Sequence, residues 1–185
     1  MSEFDELVLD DGNEAIGVRV VGARHAGGSF ERARLVDVEL VRCDLSGADF
    51  SGAIWQRVTL HDCRCSGMDL SQSQLRDVTF ADCKLDDTNL RLAKLLNVRF
   101  ADSVLVTADF GAAQLEQVAF ADCDLRAADL SNARCAQVDL RTARLDGLKG
   151  IGSLRGATIG VDQLVGLALG LAHALGLTVG DDDRP

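Results

Sequence analysis

Large apolar residues recur every five positions. Stepping from Phe30 through Leu35, Leu40, Leu45, Phe50 and Trp55 to Leu145 visits 24 positions, of which 21 are Leu or Phe. The exceptions are Trp55, Cys65 and Cys135. Neither a 3.6-residue helix nor a two-residue strand has this period. The position two before each centre is also restricted, as in Ala33, Val38, Cys43, Ala48 and Ala53, with Met68 its only long side chain. The residue between them is mostly polar, for example Asp44, Arg64, Lys84 and Asn89. Two residues in five therefore point inward, one large and one small, and three face water.

A second period is nested in the first. Val38, Val58, Val78, Val98, Val118 and Val138 lie 20 apart, as do Cys43, Cys63, Cys83, Ser103, Cys123 and Ala143. Twenty residues are four fives, so one coil has four sides, and each side chain sits above its counterpart at the roughly 4.8 Å spacing of paired backbones. Residues 28–147 then make about six coils, a rod on the order of 29 Å long. Trp55 is oversized for its slot, which predicts local bulging of that side.

Stretches such as Ala48-Asp49-Phe50-Ser51-Gly52, Ala108-Asp109-Phe110-Gly111-Ala112 and Ala128-Asp129-Leu130-Ser131-Asn132 resemble the pentapeptide-repeat family, whose consensus is A(D/N)LXX. The resemblance spans about two thirds of the chain. It implies an all-β solenoid, a right-handed quadrilateral β-helix that presents a surface and is not an enzyme.

Solenoid ends need caps. The register breaks at GLKGIG after Leu145, with shifted repeats expected near Leu154 and Ile159. Leu164, Leu167, Leu171 and Leu175 then recur at helical spacing, and Val165, Leu169 and Ala172 make other faces apolar. This predicts a C-terminal helix with one face on the last coil and another in a two-fold dimer. Leu164, Leu167, Leu171 and Leu175 are its expected dimer residues. Asp162, Gln163 and His173 weigh against a membrane span. At the other end, His25 falls on a centre position, so regular coils are expected to start after it, with a strand at Val18–Val21 covering them and residues 1–14 a mobile acidic tail. The organisation read from the sequence is an acidic N-terminal segment and cap (1–27), repeats (28–160), helix (161–178) and disordered tail (179–185).

Charge narrows the function. The net charge is −10, which argues against direct nucleic-acid binding and suits a basic partner. The acidic N-terminus has no long apolar run, so the chain is read as cytoplasmic with reduced thiols. All six cysteines fall on inward positions and lack zinc-type spacing, so they read as packing, with no metal or cofactor. His25, His61 and His173 have no recognisable nucleophile near them in the register, and His61 is expected to be exposed.

Two columns of acids stand out on the outward positions. Asp62, Asp82, Asp102 and Asp122 occupy one slot in four successive coils. Asp49, Asp69, Asn89, Asp109 and Asp129 occupy another, where the family consensus already supplies Asp or Asn. Two readings stand side by side: the acids solubilise the rod or bond its corners, or they bind a partner, with Arg64 and Lys84 neutralising part of the first column. Within the family the chain resembles the MfpA-type DNA mimics that bind DNA gyrase, in size, uninterrupted coils and terminal apolar helix. It lacks Qnr-type loops and adds an acidic N-terminal segment. That resemblance implies a homodimeric DNA mimic that inhibits gyrase or protects it from fluoroquinolones, through both aspartate columns. The alternative is an interaction scaffold for another protein partner.

Overall fold

The computed structural model describes residues 2–9 and 12–180. Five eight-residue strands form its spine: β4 (Arg34–Val41), β5 (Ile54–His61), β6 (Gln74–Ala81), β7 (Lys94–Ala101) and β8 (Gln114–Ala121). They pair in parallel with a constant offset of 20, so that Leu35, Trp55, Leu75, Leu95, Leu115 and Cys135 lie in one column. Short strands extend the sheet at both ends: β1 (Ser2–Phe4), β2 (Glu14–Ile16) and β3 (Val18–Val21) before it, and β9 (Arg134–Ala136), β10 (Val138–Asp139) and β11 (Ala157–Thr158) after it. The remaining two sides of each coil are joined by isolated parallel bridges, such as Asp44 to Arg64 and Asp49 to Asp69.

The corners explain the period. Twenty non-glycine residues among those described have positive φ, and all but Asn13 carry numbers ending in 2 or 7. One left-handed residue per pentapeptide turns the chain, and four such turns close a coil. L-residues resist this conformation by roughly 1–2 kcal/mol each, Asp and Asn least. The cost is offset because corners along the rod are templated by the next coil, as where Gly47 N–H donates to the Ser66 carbonyl at 2.9 Å and Asp62 N–H to that of Ala81 at 3.0 Å.

The interior is a set of stacked columns. Phe80, Phe100 and Phe120 stack with centroids 4.9 Å apart, as Phe30 and Phe50 do at 4.7 Å, which is the coil rise. Trp55 produces no bulge, contrary to the sequence expectation: its ladder to Leu35 and Leu75 is continuous and its side chain is fully buried. The indole is taken up against Phe50 and Phe80, with its N–H left without a partner. The cysteine column is also structural. Cys63, Cys83 and Cys123 each donate S–H to the carbonyl two residues back, at 3.2–3.4 Å, and Ser103 does the same through its hydroxyl at 2.7 Å. Small side chains with a weak donor suit this slot because they satisfy a corner carbonyl from inside.

The coils number about eight rather than six. They start well before residue 28. β2 and β3 both pair with β4, and Arg24 bridges Asp44. His25 takes a centre position within a coil, its ring edge-on to Phe30. The segment expected to be mobile is partly ordered: β1 pairs with β3, and Leu7 is buried. Residues 1, 10 and 11 of that segment lie outside the described residues.

At the other end a 3-10 turn (Ile151–Ser153) leads to the helix α1 (Val161–Ala174). Gln163 fixes its start, accepting Gly160 N–H at 2.6 Å and donating to the Leu140 and Ala143 carbonyls of the last coil. The helix is shorter than the predicted 161–178. Gly176 adopts left-handed backbone at φ 77°, and Leu177 N–H returns to the Ala172 carbonyl at 2.9 Å, a Schellman stop. The predicted dimer stripe splits. Leu167 is buried and Leu171 packs on the core, whereas Leu164, Val165, Leu169 and Leu175 are exposed. The helix turns the i, i+4, i+7, i+8 stripe of Gln163, Leu167, Gly170 and Leu171 to the solenoid, because Gly170 lets Ile151 approach closely. Among the described residues no helix is long and apolar enough to cross a membrane. The predicted tail falls mostly outside the described residues.

Candidate partner-binding faces

The two aspartate columns occupy different local structures. Asp62, Asp82, Asp102 and Asp122 are themselves the left-handed corner residues, with φ between 48° and 54°. A residue at the apex of a turn projects its side chain away from the rod, and all four are exposed. Their carboxylates are nearly without partners. Asp82 lies 3.3 Å from His61 Nδ1. Among the described residues no hydrogen bond or ion pair involves the carboxylates of Asp62, Asp102 or Asp122. Like charges at the roughly 4.8 Å coil spacing repel by about 1 kcal/mol per pair in water. An opposite charge from outside would relieve that repulsion.

Asp49, Asp69, Asp109 and Asp129 are half-buried and committed. Each accepts the backbone N–H two residues on through Oδ1, at 2.7–2.8 Å, and Asn89 does so at 3.1 Å. These are Asx turns that hold a corner. Asp109 also pairs with Arg91 at 3.1 Å, and Asp69 accepts from Asn89. Hydrogen bonding to Ser131 holds the Asp129 carboxyl below its ordinary range. Of the two columns, only the first has free carboxylates.

Other acids are paired within the fold. Arg57 grips Asp37 at 2.6 and 2.7 Å, Arg126 grips Asp124, and Arg141 grips Asp139. In each case the arginine hydrogen bond lowers the carboxyl's pKa.

The coil geometry also separates charge. Across residues 32–149, the two bridge-joined sides (residues 42–51 and their 20-residue repeats) carry 13 acidic and seven basic residues. The two strand-bearing sides carry five acidic and eight basic. The rod has an acidic half, which includes both aspartate columns, and a mildly basic half carrying Arg76, Lys94, Arg99 and Arg134. Neither column taken alone shows this polarity, although residue number modulo 20 reveals it. Asp86, Asp87 and Asp146 join the acidic half on that basis.

His61 is exposed, as expected, and the cysteines are buried apart from the partly buried Cys135. No group of three or more His, Cys, Asp or Glu side chains suited to a metal ion occurs among the described residues. The surface depressions are open grooves between outward side chains, such as that lined by Gln74, Arg76, Lys94, Gln114 and Glu116.

Residues 33–103 and 74–149 match the sequence family described as the pentapeptide repeat region. Curated protein sequences gave no match. Among solved structures, a trypsin-treated variant of QnrB1, a plasmid-mediated fluoroquinolone resistance protein, superposes with a TM-score of 0.57 at 18% identity, covering 97% of this chain and 98% of that one. A pentapeptide repeat protein of the Arabidopsis thaliana thylakoid lumen gives 0.42 at 25% identity, covering 68% of this chain and 74% of that one.

Proposed function

This chain belongs to the pentapeptide-repeat family, and from that premise we propose that it is a non-catalytic binding protein that mimics DNA and occupies the DNA-binding surface of DNA gyrase or a related type II topoisomerase. The observation that carries the reading is the exposed column of Asp62, Asp82, Asp102 and Asp122 on the acidic half of the rod. A basic groove built for regularly spaced phosphates is complementary to regularly spaced carboxylates. The fold shared with a fluoroquinolone resistance protein supports the choice of partner. Asp49, Asp69, Asp109 and Asp129 add to the negative field from behind the surface, since their turn bonds keep them from reaching out. In this reading two copies join through Leu164, Val165, Leu169 and Leu175 of α1, which doubles the length of the mimic.

The test is a supercoiling assay with purified bacterial gyrase, titrating the protein with and without a fluoroquinolone. Inhibition or drug protection at micromolar levels or below is expected. The double variant Asp82→Asn/Asp102→Asn should weaken it at least tenfold, and an unchanged titration would sink the charge-mimic mechanism.

A second reading is a scaffold that docks another protein on the strand half. It draws on the small outward side chains of Thr59, Thr79, Ala81, Ala101, Ala119 and Ala121. Partner capture that is insensitive to salt, and that lacks topoisomerase, would favour it.

A further inference from the structure

The N-terminal end of the solenoid is closed by a segment held through one histidine. His25 sits on the centre position of its coil, where 21 of the 24 centres from Phe30 to Leu145 are Leu or Phe. Its backbone N–H is used by the coil, donating to the Asp44 carbonyl at 2.7 Å. Its ring faces the chain end. Nε2 accepts the backbone N–H of Leu7 at 2.9 Å in a partly buried setting, and the ring edge packs on Phe30 with centroids 5.3 Å apart. Leu7 is 3% exposed, so it seals the apolar column beneath it. The segment's other attachments include the three-residue pairing of β1 with β3 and the exposed ion pair from Arg19 to Glu3 at 3.2 Å.

We propose that His25 is a pH-sensitive latch, and that its protonation releases residues 2–9 and uncovers the first coil. An imidazole that accepts through Nε2 must carry its proton on Nδ1. A protonated ring has N–H on both nitrogens and cannot accept from Leu7. Proton uptake therefore replaces a hydrogen bond with two opposed donors, beside the buried face of Phe30. The charged groups nearest the ring in chain and register are Asp5 and Glu6 on the segment, Arg24 beside it and Asp44 on the next coil. Among the described residues no ion pair joins any of them to the ring. Release would bare the edge of the first coil, whose backbone groups are a template for strand addition.

The experiment is amide hydrogen exchange followed by NMR on the full chain at pH 7.5 and pH 5, with each rate divided by its intrinsic value. Protection of the Leu7 amide should fall about tenfold or more at the lower pH, the scale of one lost hydrogen bond. Amides of β6 and β7 should keep their protection. In His25→Gln a side-chain oxygen accepts without titrating, so the step should vanish. Equal Leu7 protection at both pH values would overturn the latch, as would the same step in His25→Gln. If that variant misfolds, the wild-type chain still decides: the His25 ring resonances and the Leu7 amide must titrate together. Separate transitions, or an intact Leu7 amide over a protonated ring held by Asp5 or Glu6, refute the proposal.

Discussion

At the scale of single residues, the corner conformation sets what each position tolerates. Gly47 and Gly150 both have positive φ, 65° and 73°, yet differ in surroundings. A Cβ on Gly47 meets nothing within 4 Å, whereas one on Gly150 would enter the backbone of Leu130 and Ser131. Gly47→Ala should thus cost only the left-handed penalty, about 1 kcal/mol. Gly150→Ala should cost about 3 kcal/mol or more, since backbone in a templated coil cannot step aside. Urea denaturation of the two variants measures the difference. The thiols supply a pH test. Burial pushes the Cys123 thiol up to about 11. For Cys63 the bond with Cys43 acts downward, but bonding to Cys83 and burial prevail, again to about 11. Between the ordinary value near 9 and about 11, the unfolded chain has lost protons that the folded chain keeps. Stability should therefore fall as pH rises through that window. The fall in denaturation midpoint should be shallower in Cys63→Ala/Cys123→Ala than in the wild-type chain.

At the scale of elements, α1 is amphipathic in an unusual sense, with apolar side chains on both the packed and the open face. Leu167 is the buried contact and Gln163 the polar anchor, so these two hold the helix to the last coil. Val165 is 83% exposed and Leu169 55%, so they contribute little to that attachment. Leu167→Ala should destabilise the chain by about 2–3 kcal/mol, as for a core leucine with some room to relax. Val165→Asp/Leu169→Asp should leave the folded coils intact but shift sedimentation from dimer to monomer. A monomeric wild-type chain in the same experiment would remove the dimer from the proposed function.

At the scale of the whole molecule, the consequence of coil geometry is electrostatic polarity: an acidic half opposite a mildly basic one. Association through the acidic half should be strongly screened, because the Debye length is already about 8 Å at 0.15 M salt. Raising salt from about 0.05 to 0.2 M should weaken gyrase inhibition by tenfold or more. Arg76→Gln/Lys94→Gln, on the strand half, should leave inhibition equal or slightly stronger. A loss from this pair as large as from Asp82→Asn/Asp102→Asn would place the contact on the wrong side of the rod.

Most of the fold was legible in the residues because a solenoid is a local rule repeated. Each pentapeptide needs one large and one small inward side chain and one left-handed corner, and each coil copies its register from the coil beside it. Phe80, Phe100 and Phe120 and the cysteine column follow from that rule, whereas the strand at Val18–Val21 was expected only as a cap and proves to be in register with the coil above it. The ends do not repeat, so no period announces them. That a polar ring fills the centre position at His25 goes with Leu7 N–H reaching it from 18 residues away, and which stripe of α1 turns inward depends on how closely Ile151 meets Gly170. The candidate site divides the same way. The sequence alone determined that Asp62, Asp82, Asp102 and Asp122 stack in one column and Asp49, Asp69, Asp109 and Asp129 in another. Only the tertiary structure decided that the first column projects from corner apices while the second is consumed in Asx turns, because that difference lies in backbone φ and hydrogen bonding, which identical aspartates do not spell out.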